Sequence, residues 1–269
     1  MSEEKAISGA DAPRTRKSLA RDLRALGLSP GMTLLAHTSL SSLGWVCGGP
    51  VAVIQALQDV LTPDGTLIMP AHSANLSDPA EWENPPIPQS WWAPVREEMP
   101  AFDPAITPTF FIGAIAEAFR TFPDVLRSNH PVHSFAAWGK HAEFVTANHS
   151  LDDGLGDASP LGAVYRLGGH VLMLGTNYDS NTSMHLAEHH SGAAAPVTKR
   201  SPIFENGRKV WKSYGELDYD EDRFPAIGAA FEQAHTVRAG RVGSADAKLV
   251  EQRALVDFAA AWLRNNGTQ

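Results

Sequence analysis

The chain predicts an α/β protein: a single-domain layered sandwich whose mostly parallel central sheet is flanked by helices and extended by an antiparallel hairpin. Short apolar runs at residues 32–37, 66–69 and 169–174 are bounded by Gly- and Pro-containing turns and have the length of buried strands. Helix-length segments with recognisable start and stop residues lie between them. Residues 197–219 alternate, most clearly around Lys209-Val210-Trp211-Lys212, as a half-buried hairpin does. With 269 residues, 43% of them hydrophobic, the chain can bury a sizeable core, and no Pro/Gly/Ser-rich linker divides it.

In chain order, residues 1–15 read as a loose polar leader and residues 16–269 as the one domain. A helix over 17–26 ends at Gly27, a residue suited to the left-handed position after a helix. The Ser29-Pro30-Gly31 turn leads into the first strand, and residues 38–44 leave it as a polar turn. Gly48-Gly49-Pro50 opens a helix to Leu61, with proline at its favoured first position. Thr62-Pro63-Asp64-Gly65 is a turn before the next strand. Residues 70–108 hold nearly half of the 19 prolines and no periodic apolar face, which marks an excursion. Trp82, Trp91 and Trp92 predict that it is ordered, because their rings need burial. Then follow an amphipathic helix over 110–122, a strand over 134–138, helices over 140–147 and 160–167, the strand 169–174, the hairpin, and helices over 225–235 and 245–265.

Composition narrows the function. A net charge of −8, from 22 basic and 30 acidic residues, argues against nucleic-acid binding and suits a small cationic substrate. The single cysteine, Cys47, rules out an intramolecular disulfide and fits a reducing compartment. A lone cysteine reads as a small apolar residue rather than a nucleophile. The start, Met1-Ser2-Glu3-Glu4-Lys5, lacks the basic end and apolar core of a signal peptide, and no run is long enough to span a bilayer. The expectation is a cytoplasmic protein without membrane or nucleic-acid partners; the sequence leaves a homodimer open.

Four constellations bear chemistry. The run Val171-Leu172-Met173-Leu174 is closed by Gly175, and Asn181 or Thr182 then caps a helix. His185 and Glu188, three apart, share a face of that helix near its N-terminus. An imidazole beside a carboxylate at the carboxyl end of a central strand suits proton transfer; the alternative is a solvated helix face. Second, His37, Thr38, Ser39, Leu40, Ser41, Ser42 and Gly44, followed by Gly48-Gly49 and a helix start, have the makings of an anion cradle. The segment is neither a Walker A loop nor a dinucleotide fingerprint, and its alternative is a plain polar connection. Third, Arg127-Ser128-Asn129-His130-Pro131-Val132-His133 precedes a strand and either lines a cleft or forms a structured turn. Fourth, residues 185–189 match H-x-x-E-H, in which two histidines grip zinc and the glutamate acts as base. Glu251 is the candidate third ligand, so a metal-dependent hydrolase using His185 and His189 is the competing reading.

Taken in order, several segments resemble the aminoglycoside 3-N-acetyltransferase family, antibiotic N-acetyltransferases outside the GNAT fold. They are residues 34–44, Gly48-Gly49, residues 64–70, Phe102-Asp103-Pro104, residues 127–131, Ser159-Pro160-Leu161, residues 172–175, residues 181–188 and Gly240-Arg241-Val242-Gly243. The resemblance implies acetyl-CoA as co-substrate, no metal, and as acceptor the 3-amino group of an aminoglycoside or another amine, with antibiotic resistance as the role. It implies His185 as the catalytic histidine, with Glu188 and Thr182 beside it. It places the cofactor at His37, Thr38, Ser39, Leu40, Ser41 and Gly44, with Arg127 and His130. Acceptor contacts are expected from the 70–108 excursion and from acidic residues, Asp179 and, within the 218–222 cluster, Asp222.

Overall fold

The computed structural model describes residues 3–8 and 11–266. The segment expected as a loose leader carries a short helix, α1 (Glu3–Ser8), and Arg14 forms an isolated bridge with Val46. α2 (Arg16–Leu26) starts at Thr15, whose hydroxyl accepts the Ser18 amide in a capping box. It stops at Gly27, which takes the left-handed conformation at φ 112°. β1 (Thr33–Thr38), α3 (Gly49–Leu61) and β2 (Thr66–Pro70) follow as the sequence predicts. Cys47 is exposed in the turn before α3 rather than packed as a small apolar residue.

The excursion after β2 holds single turns and α4 (Trp92–Glu98). Arg96 pairs with Asp78 at 2.6 Å, and the Trp211 indole donates to the Arg96 carbonyl at 2.7 Å, so the segment is tied down. Trp82 and Trp92 are half-buried, but Trp91 is 56% exposed, so the burial argument holds for two of the three rings. The helix expected over 110–122 shrinks to α5 (Ala114–Phe119), because Phe111 and Gly113 have φ of 56° and 91° and cannot begin it. β3 (Leu126–Arg127), β4 (Phe135–Gly139), α6 (Ala142–Thr146), α7 (Pro160–Arg166), β5 (His170–Leu174) and α8 (Ser183–Ser191) lead to the hairpin of β6 (Pro196–Glu205) and β7 (Arg208–Leu217). After α9 (Phe224–Ala234), the helix expected over 245–265 proves to be two elements. β8 (Arg238–Val242) pairs with β9 (Ala245–Glu251), and only then does α10 (Gln252–Asn266) begin. The first seven of those residues alternate between the inside and outside, the period of a strand.

The main sheet has the order β3-β4-β2-β1-β5-β9-β8, with β6 and β7 forming a separate ribbon. β2, β1 and β5 run parallel, and antiparallel strands widen this core on both sides. Alternation along the strands builds two cores: Leu34, Leu67 and Leu172 pack with α2, α3 and α5, whereas Leu35, Ile68 and Val171 pack with helices that include α7, α8, α9 and α10. Thr38 lies opposite Leu174, so the loops that leave β1 and β5 exit side by side at the carboxyl edge of the sheet. No helix among the described residues is long and apolar enough to cross a membrane.

Candidate active site

A cleft of about 970 Å³ opens at that edge. His37, Thr38, Ser39, Leu40, Ser41 and Gly44 all line it, so the cofactor loop read from the sequence is one wall. The wall is pinned to the exit of β5. The Ser39 amide donates to the Leu174 carbonyl at 2.9 Å, and the Ser42 hydroxyl donates to Ser39 Oγ at 2.9 Å. Gly175, at φ 69°, permits this approach, since a Cβ there would lie 2.5 Å from the Ser42 Cβ. The N-terminus of α3 reaches the cleft through Gly49, but the Gly49 amide donates to the Val46 carbonyl at 3.0 Å, the Ala52 amide to the Gly48 carbonyl at 3.4 Å, and Pro50 has no N–H, so the polar groups of this wall come chiefly from the serine loop. His37 itself is buried, and burial, helped by the nearby His185, pushes its imidazole down to about 3, so it is neutral at physiological pH.

The opposite wall comes from the β5–α8 connection, with Asp179, Thr182 and His185 facing the cleft. Thr182 occupies the capping position of α8 without a capping bond from its side chain; instead Asn181 Oδ1 accepts the Ser183 amide at 3.1 Å. One turn in, His185 Nδ1 lies 2.7 Å from Glu188 Oε2. Glu188 is only 3% exposed, and its other oxygen accepts the Asp220 amide at 2.8 Å. A carboxylate only accepts, so Nδ1 carries a proton, and in the neutral ring the lone pair is then on Nε2. The His185 ring is packed between Tyr219 and Phe224, with ring centroids at 4.6 and 4.9 Å. This pair is the part of the site that can move a proton.

Other sequence readings end elsewhere. His189 does not share a ligand position with His185: its Nε2 lies 2.8 Å from the Tyr219 hydroxyl, which donates to the Glu216 carboxylate. Among the described residues the donors that could surround a metal are Asp153, His189 and Glu216, within 4.8 Å of one another, a set that omits His185. Glu251, at the end of β9, pairs across the sheet with His170 of β5, so the H-x-x-E-H grip is not built. Arg127 is outside the cleft lining: it donates to the Ala71 carbonyl at 2.6 Å, to Ser73 Oγ at 2.9 Å and to the Thr107 carbonyl, which fastens the end of the excursion to the sheet. Burial lowers its guanidinium to about 10. His130 is also outside the cleft, its Nδ1 accepting the His133 amide at 2.9 Å and its ring stacked on His149 at 4.8 Å. Asp222 is exposed and outside the lining, where its neighbour Glu221 is present. His72 also lines the cleft, two residues past the end of β2, and the spacing did not single it out; like His37, it is a histidine at the carboxyl end of a buried strand. Burial, with other histidines nearby, holds it well below the ordinary range.

A model of the family described as aminoglycoside 3-N-acetyltransferase matches residues 35–264. The chain is 48% identical to the SPbeta prophage-derived aminoglycoside N(3')-acetyltransferase-like protein YokD of Bacillus subtilis (strain 168), over 99% of this chain and 98% of that one. It is 37% identical to aminoglycoside N(3)-acetyltransferase VII of Streptomyces paromomycinus, over 98% and 96% of the two chains. Among solved structures, YokD from Bacillus subtilis has a TM-score of 0.96 at 49% identity over 98% of each chain. AAC-IIIb in a binary complex with CoASH has 0.85 at 34% identity, over 96% of this chain and 99% of that one. AAC-VIa bound to sisomicin has 0.85 at 28%, over 96% and 100%.

Proposed function

The chain belongs to the aminoglycoside 3-N-acetyltransferase family, and from that premise we propose that it moves the acetyl group of acetyl-CoA to the 3-amino group of an aminoglycoside, with His185 as general base. The observation that carries this reading is the Asp220 amide–Glu188–His185 chain, which fixes the imidazole as a base open to the cleft. The acceptor amine, once deprotonated by Nε2, attacks the thioester carbonyl carbon. A C–N bond forms, the C–S bond breaks, and the CoA thiolate leaves with the proton that His185 returns. Because the acceptor enters as an ammonium, one further proton goes to solvent. Glu188 keeps Nδ1 protonated and steadies the imidazolium that forms in between.

The hydroxyls of the serine loop suit the phosphates of CoA, and AAC-IIIb, similar over nearly its whole length, holds CoASH. Asp179 and Glu221 on the cleft offer counter-charges to a polycation, and AAC-VIa binds sisomicin. The test is thiol release from acetyl-CoA in the presence of a panel of aminoglycosides, with and without chelator. Release that needs both substrates and ignores the chelator supports the reading. No release with any acceptor, or chelator-sensitive hydrolysis, contradicts it.

A further inference from the structure

We infer that Tyr219 is a positioning residue for the His185–Glu188 pair, an inference that rests on reading His185 as the base. Tyr219 leaves β7 through Asp218, whose amide is held by the Ala195 carbonyl at 2.8 Å. Its ring lies against the His185 imidazole, and the next residue supplies the amide that occupies Glu188 Oε1. The direction of this one residue therefore decides both what packs on the base and what aims its carboxylate.

The hydroxyl of Tyr219 is what fixes that direction. Glu216 is 3% exposed and already accepts the Gly154 amide at 3.2 Å and the Leu217 amide at 3.2 Å. Burial pushes the Glu216 carboxyl up, while the bonds it accepts from Tyr219, Leu217 and Gly154 favour the carboxylate; the phenol donates to it, so His189 Nε2–H donates to the phenol oxygen. The resulting chain, His189 to Tyr219 to Glu216, runs in one direction and joins α8, which carries His185, to the end of β7. His133 at 3.6 Å and the Asp153 carboxylate, within 4.8 Å, are also near Glu216; burial holds both histidines below their ordinary range and Asp153 is an anion, so neither competes as a permanent cation with the phenol for this carboxylate. With both oxygens of Glu188 occupied and the phenol locked, His185 has one tautomer and one ring orientation. None of these groups except His185 touches the cleft lining, which separates positioning from substrate binding.

Tyr219→Phe keeps the ring and removes the lock. In the full chain it is expected to lower kcat roughly tenfold, the scale of one well-placed hydrogen bond, with KM for acetyl-CoA and for the aminoglycoside unchanged within about twofold. The ring nitrogen spectrum of His185, measured without substrate, should change from a single Nδ1–H tautomer to a mixture. Glu216→Gln retains an accepting oxygen and should keep kcat within about threefold of the parent. His185→Ala is assayed beside them. A parental kcat and a single tautomer in Tyr219→Phe, with His185→Ala inactive, would overturn the positioning role and leave the base intact. A drop in kcat accompanied by equal losses in KM and melting temperature would reduce Tyr219 to packing. Full activity in His185→Ala would remove the reading beneath the inference, a result distinct from the other two.

Discussion

His37 stands near the carboxyl end of β1 and His185 in the helix that follows β5, and both line the same cleft. Among the described residues no carboxylate pairs with His37 and its buried Nε2 has no partner, and burial makes it a poor proton acceptor. His185 keeps 15% of its side chain exposed and gives Nδ1–H to a buried carboxylate that is itself held by a backbone amide. The same residue type, on two walls of one cleft, is thus a neutral wall in one place and, in the proposed reaction, the base in the other. Access and a charged partner make the difference, not the imidazole.

The sharpest way to break this contrast is to remove each ring in turn. His185→Ala is expected to lower turnover by roughly 10²–10⁴-fold, the range for losing a general base, while acetyl-CoA affinity stays within a few-fold. His37→Gln, assayed in parallel by thiol release, should stay within roughly tenfold of the parent, since only a neutral polar group is exchanged. Equal losses at both positions would erase the distinction. Glu188→Gln comes next. Its amide nitrogen faces either Nδ1 or the Asp220 amide, and the tautomer is no longer enforced, so kcat should fall by roughly one to two orders of magnitude with little change in KM.

A smaller effect is expected on the wall that the proposed function gives to the cofactor. Replacing Ser39 and Ser41 together by leucine should raise KM for acetyl-CoA about tenfold and leave that for the amine within about twofold; calorimetry on the folded variant checks it. Unchanged CoA affinity would make the loop purely structural.

The buried histidines also predict a pH dependence of stability. His37 titrates near 3 and His149 near 4 in the folded protein, against about 6.5 when unfolded. Between those values only the unfolded chain takes up the protons, so stability is full above about pH 6.5 and is lost as pH falls towards 4. Thermal unfolding at pH 7, 5.5 and 4.5 should show this decline, and His37→Gln should make it shallower. A flat profile would mean that these rings are not held neutral. The smallest effect is expected at the exposed acids: the triple change Asp220→Asn, Glu221→Gln, Asp222→Asn should weaken aminoglycoside binding about threefold at low salt and not measurably at high salt.

What was legible in the chain follows from how locally each feature is encoded. β1, β2 and β5 are buried on both faces, so each is an uninterrupted apolar run between turns. β9 was hidden because Ala245, Ala247, Lys248 and Glu251 are residues a helix also favours, and only pairing with β5 and β8 decides their state. The pair His185–Glu188 was readable from its spacing on one helix, and the serine loop from its place after a strand. Tyr219, Glu216 and His72 reach the same region from a ribbon end and a loop, and no spacing in the sequence links them to His185. Arg127 and His130 lie outside the cleft lining for the converse reason: their polar atoms are taken up by other groups of the fold, Arg127 by the Ala71 carbonyl and His130 by the His133 amide.

Imidazole rescue tests the role of His185 most directly, because the cleft beside it is wide enough to admit a free base. With saturating acetyl-CoA and aminoglycoside, His185→Ala should recover thiol release in proportion to the concentration of neutral imidazole added, whereas Glu188→Gln should recover little. Parental turnover in His185→Ala without imidazole, or a variant whose residual rate is indifferent to imidazole at every pH, would contradict the assignment of His185 as the base.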